Sequence, residues 1–335
     1  LLVALGDPSD YVRSHASEAL GKMKVQAKYV VPGLIAALQD DDDHVRFMTV
    51  EALGEFGPEA ASAAQSLREA LLRDTDGNVR WHAASPLAAV DLEGTIALPA
   101  LIDAMKARDA NVRRFVAIAL GKFGPKAKEA APLLLVGLKD SNTGARIAAA
   151  GALWQVDRNA KDTLPVLIQV LEKDPTIAHL WAANEIADIG PEAKEAVPAL
   201  RKLLATSSWP YGAVQALGSI GPDAVAAVPD LLERLESEDG DVRAYAAGSL
   251  WKINQHPRAI PALLSELKNP AEGSPYYAII TAGEIGPPAK AGVPELVKAL
   301  SHRELYVRQA ALRALEKVDP AAIPGRAEQA PPPGK

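Results

Sequence analysis

The chain has 335 residues, is 48% hydrophobic but only 5% aromatic, contains no Cys and carries a formal net charge of −6. The lack of Cys excludes a disulfide framework and a thiolate metal site, and the acidic balance argues against a general nucleic-acid binder. No apolar run reaches the roughly 18 residues of a membrane span.

The chain repeats from its first residues. Leu1-Leu2-Val3-Ala4-Leu5 aligns with Leu34-Ile35-Ala36-Ala37-Leu38, so the chain opens inside a repeat and reads as a fragment or a processed form. An apolar-Pro-x-apolar anchor then recurs as Val31-Pro32-Gly33-Leu34, Leu98-Pro99-Ala100-Leu101, Ala131-Pro132-Leu133-Leu134 and Leu164-Pro165-Val166-Leu167. It continues as Val197-Pro198-Ala199-Leu200, Val228-Pro229-Asp230-Leu231, Ile260-Pro261-Ala262-Leu263 and Val293-Pro294-Glu295-Leu296. Gln65 holds the proline position in the second interval, and successive anchors lie 33, 34, 33, 33, 33, 31, 32 and 33 residues apart. A fixed period of this size signals a stacked solenoid. Residues 1–318 are expected to form it, with the first repeat incomplete, and 319–335 to be a disordered tail containing Pro331-Pro332-Pro333.

Each repeat reads as two helices. The first carries the anchor proline in its opening turns, where a missing N–H is tolerated. The second opens on a polar N-cap three residues before Val-Arg, as in Asp76 before Val79-Arg80, Asp109 before Val112-Arg113 and Asp239 before Val242-Arg243. Apolar residues follow at helical spacing, for example Val112, Val116, Leu120 and Phe123. Most repeats end at Gly-Pro (Gly57-Pro58, Gly124-Pro125, Gly190-Pro191, Gly221-Pro222, Gly286-Pro287), where Gly is expected in the left-handed conformation. Three end instead at Val90-Asp91, Val156-Asp157 and Ile253-Asn254.

The proline-bearing first helix, the Asp-x-x-Val-Arg start and the Ala-Leu-Gly-x-x-Gly-Pro ending resemble HEAT repeats, closest to the bacterial HEAT-like group that includes the phycobilisome lyases. The resemblance implies an all-α fold, a right-handed α-solenoid of about nine to ten two-helix repeats. It also implies second helices that line a concave face, and a scaffold or adaptor role.

Alternatives to a scaffold find little support in the residues. The row Arg13, Arg46, Arg80, Arg113, Arg146, Arg243 and Arg308 could form a phosphate track. The regular turn carboxylates Asp42, Asp76, Asp109 and Asp239 favour a ladder of ion pairs, which would cancel the field. None of the six His (His15, His44, His82, His179, His256, His302) is followed by Glu, and no two lie four apart, so no metal site is expected. Phosphate loops, nucleophile elbows and dinucleotide fingerprints are absent, and no acid–base pair is nominated.

The outward face of the second helices is more informative. Counting from the Val of each Val-Arg start, that residue and those 4, 8 and 11 further on form the buried stripe, and positions 2, 6 and 9 point away. These outward rows hold Phe47, Trp81, Tyr211 and Tyr276 at position 2, and Trp154 and Trp251 at position 9. Seven of the twelve Trp and Tyr lie from 181 to 277, where the intervals shorten and Pro210 and Pro275 replace Arg. The candidate partner-binding residues are therefore Phe47, Trp81, Trp154, Trp181, Tyr211, Tyr245, Trp251, Tyr276 and Tyr277, with Trp181, Tyr211, Tyr245, Tyr276 and Tyr277 of the sixth to ninth repeats central. The bland alternative is that neighbouring helices shield these rings.

The expected function is non-catalytic binding of another protein or peptide through the concave face, with no cofactor, no metal, no nucleic acid and no membrane insertion. Resemblance to the lyase subgroup implies an alternative, a bilin lyase or a tetrapyrrole chaperone. A DNA-repair role like that of HEAT-like glycosylases would need a basic face, and the outward rows offer only Arg114 and Arg313. The residues choose neither a compartment nor an oligomeric state.

Overall fold

The computed structural model describes residues 1–174, 177–207, 209–270 and 275–324. The chain forms two compact units, Leu1–Val166 and Leu167–Lys335. The first runs through α1 (Asp10–Met23), α2 (Ala27–Ala37), α3 (Asp43–Phe56), α4 (Ala64–Arg73), α5 (Gly77–His82), α6 (Ala84–Val90), α7 (Ala97–Ala104), α8 (Ala110–Phe123), α9 (Ala131–Gly137) and α10 (Thr143–Asp157). Helix α11 (Ala160–Lys173) spans the division. The second runs through α12 (Ala178–Ile189), α13 (Val197–Thr206), α14 (Tyr211–Ile220), α15 (Val228–Arg234), α16 (Gly240–Asn254), α17 (Ala259–Lys268), α18 (Tyr276–Ile285), α19 (Val293–Ala299) and α20 (Leu305–Val318). No strand occurs among the described residues.

Within each unit the second helices pack side by side: α1 on α3 and α8 on α10 in the first, and α12, α14, α16, α18 and α20 in sequence in the second. The first helices form a second layer, and the core lies between the two. The anchor explains why this period folds. The Leu two residues after the anchor proline position (Leu34, Leu67, Leu101, Leu134, Leu167, Leu200, Leu231, Leu263, Leu296) is fully buried in every repeat. The stripe predicted for the second helices faces it: Val45, Leu53 and Phe56, or Val242, Ala246, Leu250 and Ile253, are all buried. Each such side chain contributes about 1.5–3 kcal/mol by leaving water.

The expected N-caps form. Asp42 Oδ1 accepts from the Val45 N–H at 3.0 Å, Asp76 Oδ1 from Asn78 and Val79, Asp109 Oδ1 from Asn111, Asn142 Oδ1 from Ala145, and Asp239 Oδ1 from Asp241 and Val242. The second helix of the third repeat is broken at Ala83, between α5 and α6. Pro86 explains the break, because it has no N–H and its ring opposes the carbonyl four residues back.

Four details depart from expectation. The Gly-Pro glycines have positive φ but ψ near the extended range, as at Gly57 (φ 55°, ψ −135°) and Gly286 (φ 76°, ψ −142°). That is not the left-handed helical conformation, which Asn could share, but a mirror-extended one accessible only to Gly. The chain does not simply stop there; Pro opens a 3-10 segment such as Gly57–Ala63 or Gly190–Ala196, which leads straight into the next first helix. True left-handed caps occur where Gly-Pro is missing, at Arg158 and Gln255.

The arginine ladder exists with different carboxylates. Arg13 pairs with Asp40 at 2.6 Å, Arg46 with Asp74 at 2.8 Å and Arg113 with Asp140 at 2.6 Å. Each partner lies two residues before the helix cap and also accepts the cap residue's own N–H. The cap carboxylates themselves are occupied by helix N–H groups. Each guanidinium further donates to carbonyls of its own turn, as Arg113 does to Ala107 and Arg108.

Position 9 is not outward. Gly21 sits so close to Ala52 that an added Cβ would meet its Cα at 2.7 Å, and Gly283 would meet Ala314 at 3.0 Å. Small residues here let adjacent second helices approach, so the row lies in the seam between them. Trp154 occupies this row and is 4% exposed. Its assignment to a partner-binding surface is therefore corrected: it is a packing residue, with the Arg158 guanidinium 4.8 Å from its ring centroid. The seam also takes buried hydroxyls, Ser17 to Thr49 at 3.0 Å and Ser249 to the Val214 carbonyl at 2.8 Å.

Of the proposed tail, Pro320–Ala322 forms a 3-10 turn, Asp319 pairs with Lys290 at 2.9 Å and Ile323 is buried. Residues 325–335 lie outside the described residues.

Candidate functional site

The open face of the second helices in 167–335 carries a continuous run of rings. Trp209 and Tyr211 have centroids 6.2 Å apart, Tyr211 and Tyr245 6.1 Å, Tyr245 and Tyr277 5.2 Å, Tyr277 and Tyr276 5.1 Å, and Tyr276 and Tyr306 5.0 Å. Most meet edge-on or tilted, the geometry favoured by the ring quadrupole. Tyr211, Tyr245, Tyr276 and Tyr277 are half-buried, while Trp209 at 63% and Tyr306 at 49% exposure open the two ends.

Helix geometry builds this run from two adjacent rows. Tyr211 and Tyr276 stand at position 2, Tyr245 and Tyr277 at position 3, and each rung leans on the next repeat. Where Pro210 removes the ladder cation, Tyr211 makes a different contact: its hydroxyl donates to Oδ2 of the cap residue Asp239, while Oδ1 of the same carboxylate caps α16. Burial, then this hydrogen bond, pushes the Tyr211 phenol well above the usual range. Burial, then Tyr277 and Glu284, pushes the Tyr245 phenol up to about 12. Both rings therefore stay neutral, with hydroxyls able to donate.

The other candidates distribute unevenly. Trp181 is half-buried on α12, four residues before Glu185, whose carboxyl is pushed up to about 7 by burial and then by Asp188. Trp251 is half-buried at a seam position of α16. Phe47 and Trp81 belong to a separate cluster in 1–166. There His82 lies between Phe47 (4.4 Å) and Trp81 (3.5 Å), Trp81 stacks on Phe115 (4.4 Å, 23°), and His82 Nδ1 contacts Glu51 Oε1 at 2.7 Å.

Trp209, Tyr306, Phe115 and His82 were absent from the sequence-derived set. For Phe115, His82 and Tyr306 a signal was present: position 3 reads His15, Met48, His82 and Phe115 in the first four repeats and carries Trp181, Tyr245 and Tyr277 later, and a Tyr just before Val-Arg (Tyr11, Tyr306) lies four residues from it, on the same stripe.

A cavity of about 280 Å³ opens beside the last rings, between α18 and α20. A larger one, about 520 Å³, lies in 1–166 around Met105, Leu133 and Val136. Of its polar groups Arg113 and Asp140 are spent on each other and Lys106 reaches Asp103, while Lys139 also lines it. Among the described residues no cluster of three His, Asp or Glu is placed to hold a metal ion, and no helix is long and apolar enough to cross a membrane.

A family model described as HEAT repeats matches the chain over residues 1–88, 64–154, 98–179, 131–212 and 210–274. No curated protein matches it. Among solved structures, the chain is similar to one in the complex of CpcE and CpcF of phycocyanin lyase from Nostoc sp. PCC7120, at 23% identity and TM-score 0.49, covering 69% of this chain and 92% of that one. It is similar to the Escherichia coli protein YIBA at 20% identity and TM-score 0.52, covering 74% and 90%. A third likeness, to a chain in the Kap95p–RanGDP complex, has 16% identity and TM-score 0.47 and covers 94% of this chain but 49% of that one. At such identities the likeness concerns the fold.

Proposed function

The chain belongs to the HEAT-repeat family, and from that premise we propose that it is a non-catalytic scaffold binding another protein or peptide on the open face of its second helices. The site is the ring run from Trp209 to Tyr306. The observation that carries this reading is that these rings are held by one another yet remain half open. Large aromatic side chains offer apolar contact area at little loss of rotamer freedom, and they dominate binding energy at interfaces. Hydroxyl tips keep the uncovered face wettable, so an unoccupied chain is not penalised by a bare apolar patch.

The test is selection from a displayed library of short random peptides on the folded chain, repeated on Tyr211→Ala and Tyr276→Ala variants. Recovered peptides should lose more than about 1 kcal/mol of affinity for the variants by titration calorimetry. Recovery of no peptide, or of peptides indifferent to both changes, would overturn the reading.

A further inference from the structure

The ring run ends in a groove with a chemistry of its own. One wall is the i, i+4 row Tyr276, Ile280 and Glu284 of α18; the other is the row Gln309, Arg313 and Lys317 of α20, with Tyr306 at its mouth. The floor is tight: a Cβ on Gly283 would meet the Ala314 Cα at 3.0 Å, so the two backbones nearly touch and the side-chain rows splay above them. The volume, about 280 Å³, suits one or two side chains rather than a drug-sized molecule.

The charges in this groove are unbalanced. Glu284 is engaged by Lys252 from the neighbouring repeat, with Nζ 2.7 Å from its carboxylate. Arg313 and Lys317 are exposed, and among the described residues neither forms an ion pair. Elsewhere the second-helix arginines Arg13, Arg46, Arg113 and Arg243 are matched by carboxylates, and Arg80, Arg146 and Arg308 donate to main-chain carbonyls of their own turns. Two uncompensated cations one turn apart, beside two edge-on rings 5.0 Å apart, are an arrangement the fold does not use for itself.

We propose that the groove between α18 and α20 is the specificity end of the binding face, taking an acidic segment of an extended peptide whose aromatic or apolar side chain lies on Tyr276 and Tyr306 while its Asp or Glu carboxylates reach Arg313 and Lys317. This rests on the scaffold reading. Charge complementarity chooses the occupant, because a basic or neutral segment would leave both cations unmatched. Arg313 can present two parallel N–H donors to a carboxylate, and Lys317 adds a point charge one turn along. Gln309, at the same wall, can donate to a main-chain carbonyl.

The probe is the same displayed peptide library, selected at low and at near-physiological salt on the wild-type chain and on an Arg313→Glu, Lys317→Glu double variant. Both substitutions are on exposed positions, and circular dichroism of the variant against the wild-type chain checks its fold. The expected result is enrichment of Asp or Glu next to an aromatic or large apolar residue on the wild-type chain. Resynthesised peptides should weaken about tenfold or more on the double variant, and similarly when their Asp and Glu are changed to Asn and Gln, with a loss that grows as salt falls. The double variant should select Lys or Arg at the same place. Peptides recovered without acidic enrichment, or indifferent to charge reversal, would overturn the carboxylate subsite and leave the scaffold reading standing. Recovery of no peptide on either chain would overturn both.

Discussion

In residues 1–166 the open-face rings are Phe47, His82, Trp81 and Phe115, with neighbouring centroids 3.5 to 4.4 Å apart. In 167–335 they are Trp209, Tyr211, Tyr245, Tyr277, Tyr276 and Tyr306, with neighbours 5.0 to 6.2 Å apart. Both clusters draw on the same two rows of the second helices, and Trp209 and Tyr306 extend the second beyond them. In the first the rings stack more closely, and His82 Nδ1 contacts Glu51. The second keeps rings apart at edge contacts and carries hydroxyls. The rings of both clusters are half-buried apart from the exposed Trp209 and Tyr306, and on the proposed reading the same repeat position serves packing in one unit and reception in the other.

The largest expected effects lie off the face altogether. Trp154→Ala should cost about 3–5 kcal/mol and Leu217→Ala about 2–5 kcal/mol in urea unfolding, since Trp154 is 4% exposed and Leu217 fully buried. Neither should change the affinity of a recovered peptide. If Trp154→Ala instead left stability intact and weakened binding, the seam assignment of position 9 would fail. The contrast between packing and receiving aromatics would fail with it.

The units also differ in how their rungs are closed, which sets a second expectation. In 1–166 the guanidiniums of Arg13 and Arg113 hold the Asp40 and Asp140 carboxyls below the usual range through direct hydrogen bonds, against the opposing effect of burial. A carboxyl with a depressed folded pKa contributes stability above its unfolded pKa of about 3.9. That contribution disappears as pH falls through the folded value. Asp140→Asn should therefore cost about 1–2 kcal/mol at neutral pH and flatten the acid limb of a stability–pH curve. An unchanged acid limb would mean the rung is not closed in solution.

Binding separates the two ring clusters next. Tyr211→Ala and Tyr276→Ala should each weaken a recovered peptide by more than about 1 kcal/mol. Phe47→Ala and Trp81→Ala should leave it unchanged and appear in unfolding curves instead. Equal losses from both pairs, measured by titration calorimetry, would erase the distinction drawn from ring spacing.

How far the sequence could be read follows from what each feature depends on. The period, the anchor leucines, the capping carboxylates and the buried stripe depend on local spacing, and all are legible. The partners of the ladder are not, because Asp40 and Asp42 are alike in composition and only the turn decides that one caps the helix while the other receives Arg13. Position 9 misleads because a wheel drawn for one helix omits its neighbours, and the Gly21 and Gly283 contacts belong to pairs of helices. Of the named rings, the structure brings Tyr211, Tyr245, Tyr276 and Tyr277 into one run, which Trp209 and Tyr306 extend. Tyr245 and Tyr277 sit at position 3, so the adjoining His82 and Phe115 went unnoticed, as did Tyr306, one residue before its Val-Arg. The groove at Arg313 and Lys317 needed the structure, since only there does Glu284 turn to Lys252 and leave them unmatched.

The smallest effect at neutral pH carries the sharpest contrast. Tyr245 has its phenol pushed up to about 12, chiefly by burial. A group whose folded pKa is raised contributes stability that is fully present below its unfolded pKa, about 10 for Tyr. It loses that contribution as pH rises through the folded value, because the unfolded chain releases its proton first. The window is thus about pH 10 to about 12. Phe47, Trp81 and Phe115 have no proton to lose in that range, so only the second unit's run should be alkali-sensitive through its rings. Tyr245→Phe should change stability by less than about 0.5 kcal/mol at neutral pH and should retain more of it than wild type on the alkaline limb. Tyr211→Phe is a poorer probe, since it also removes the hydrogen bond to Asp239. Thermal melts of wild type and Tyr245→Phe at neutral pH and near pH 11, about midway in that window, would decide. Parallel alkaline losses in the two proteins would show Tyr245 to be water-exposed, and the ring run would then be a row of independent side chains rather than a preformed face.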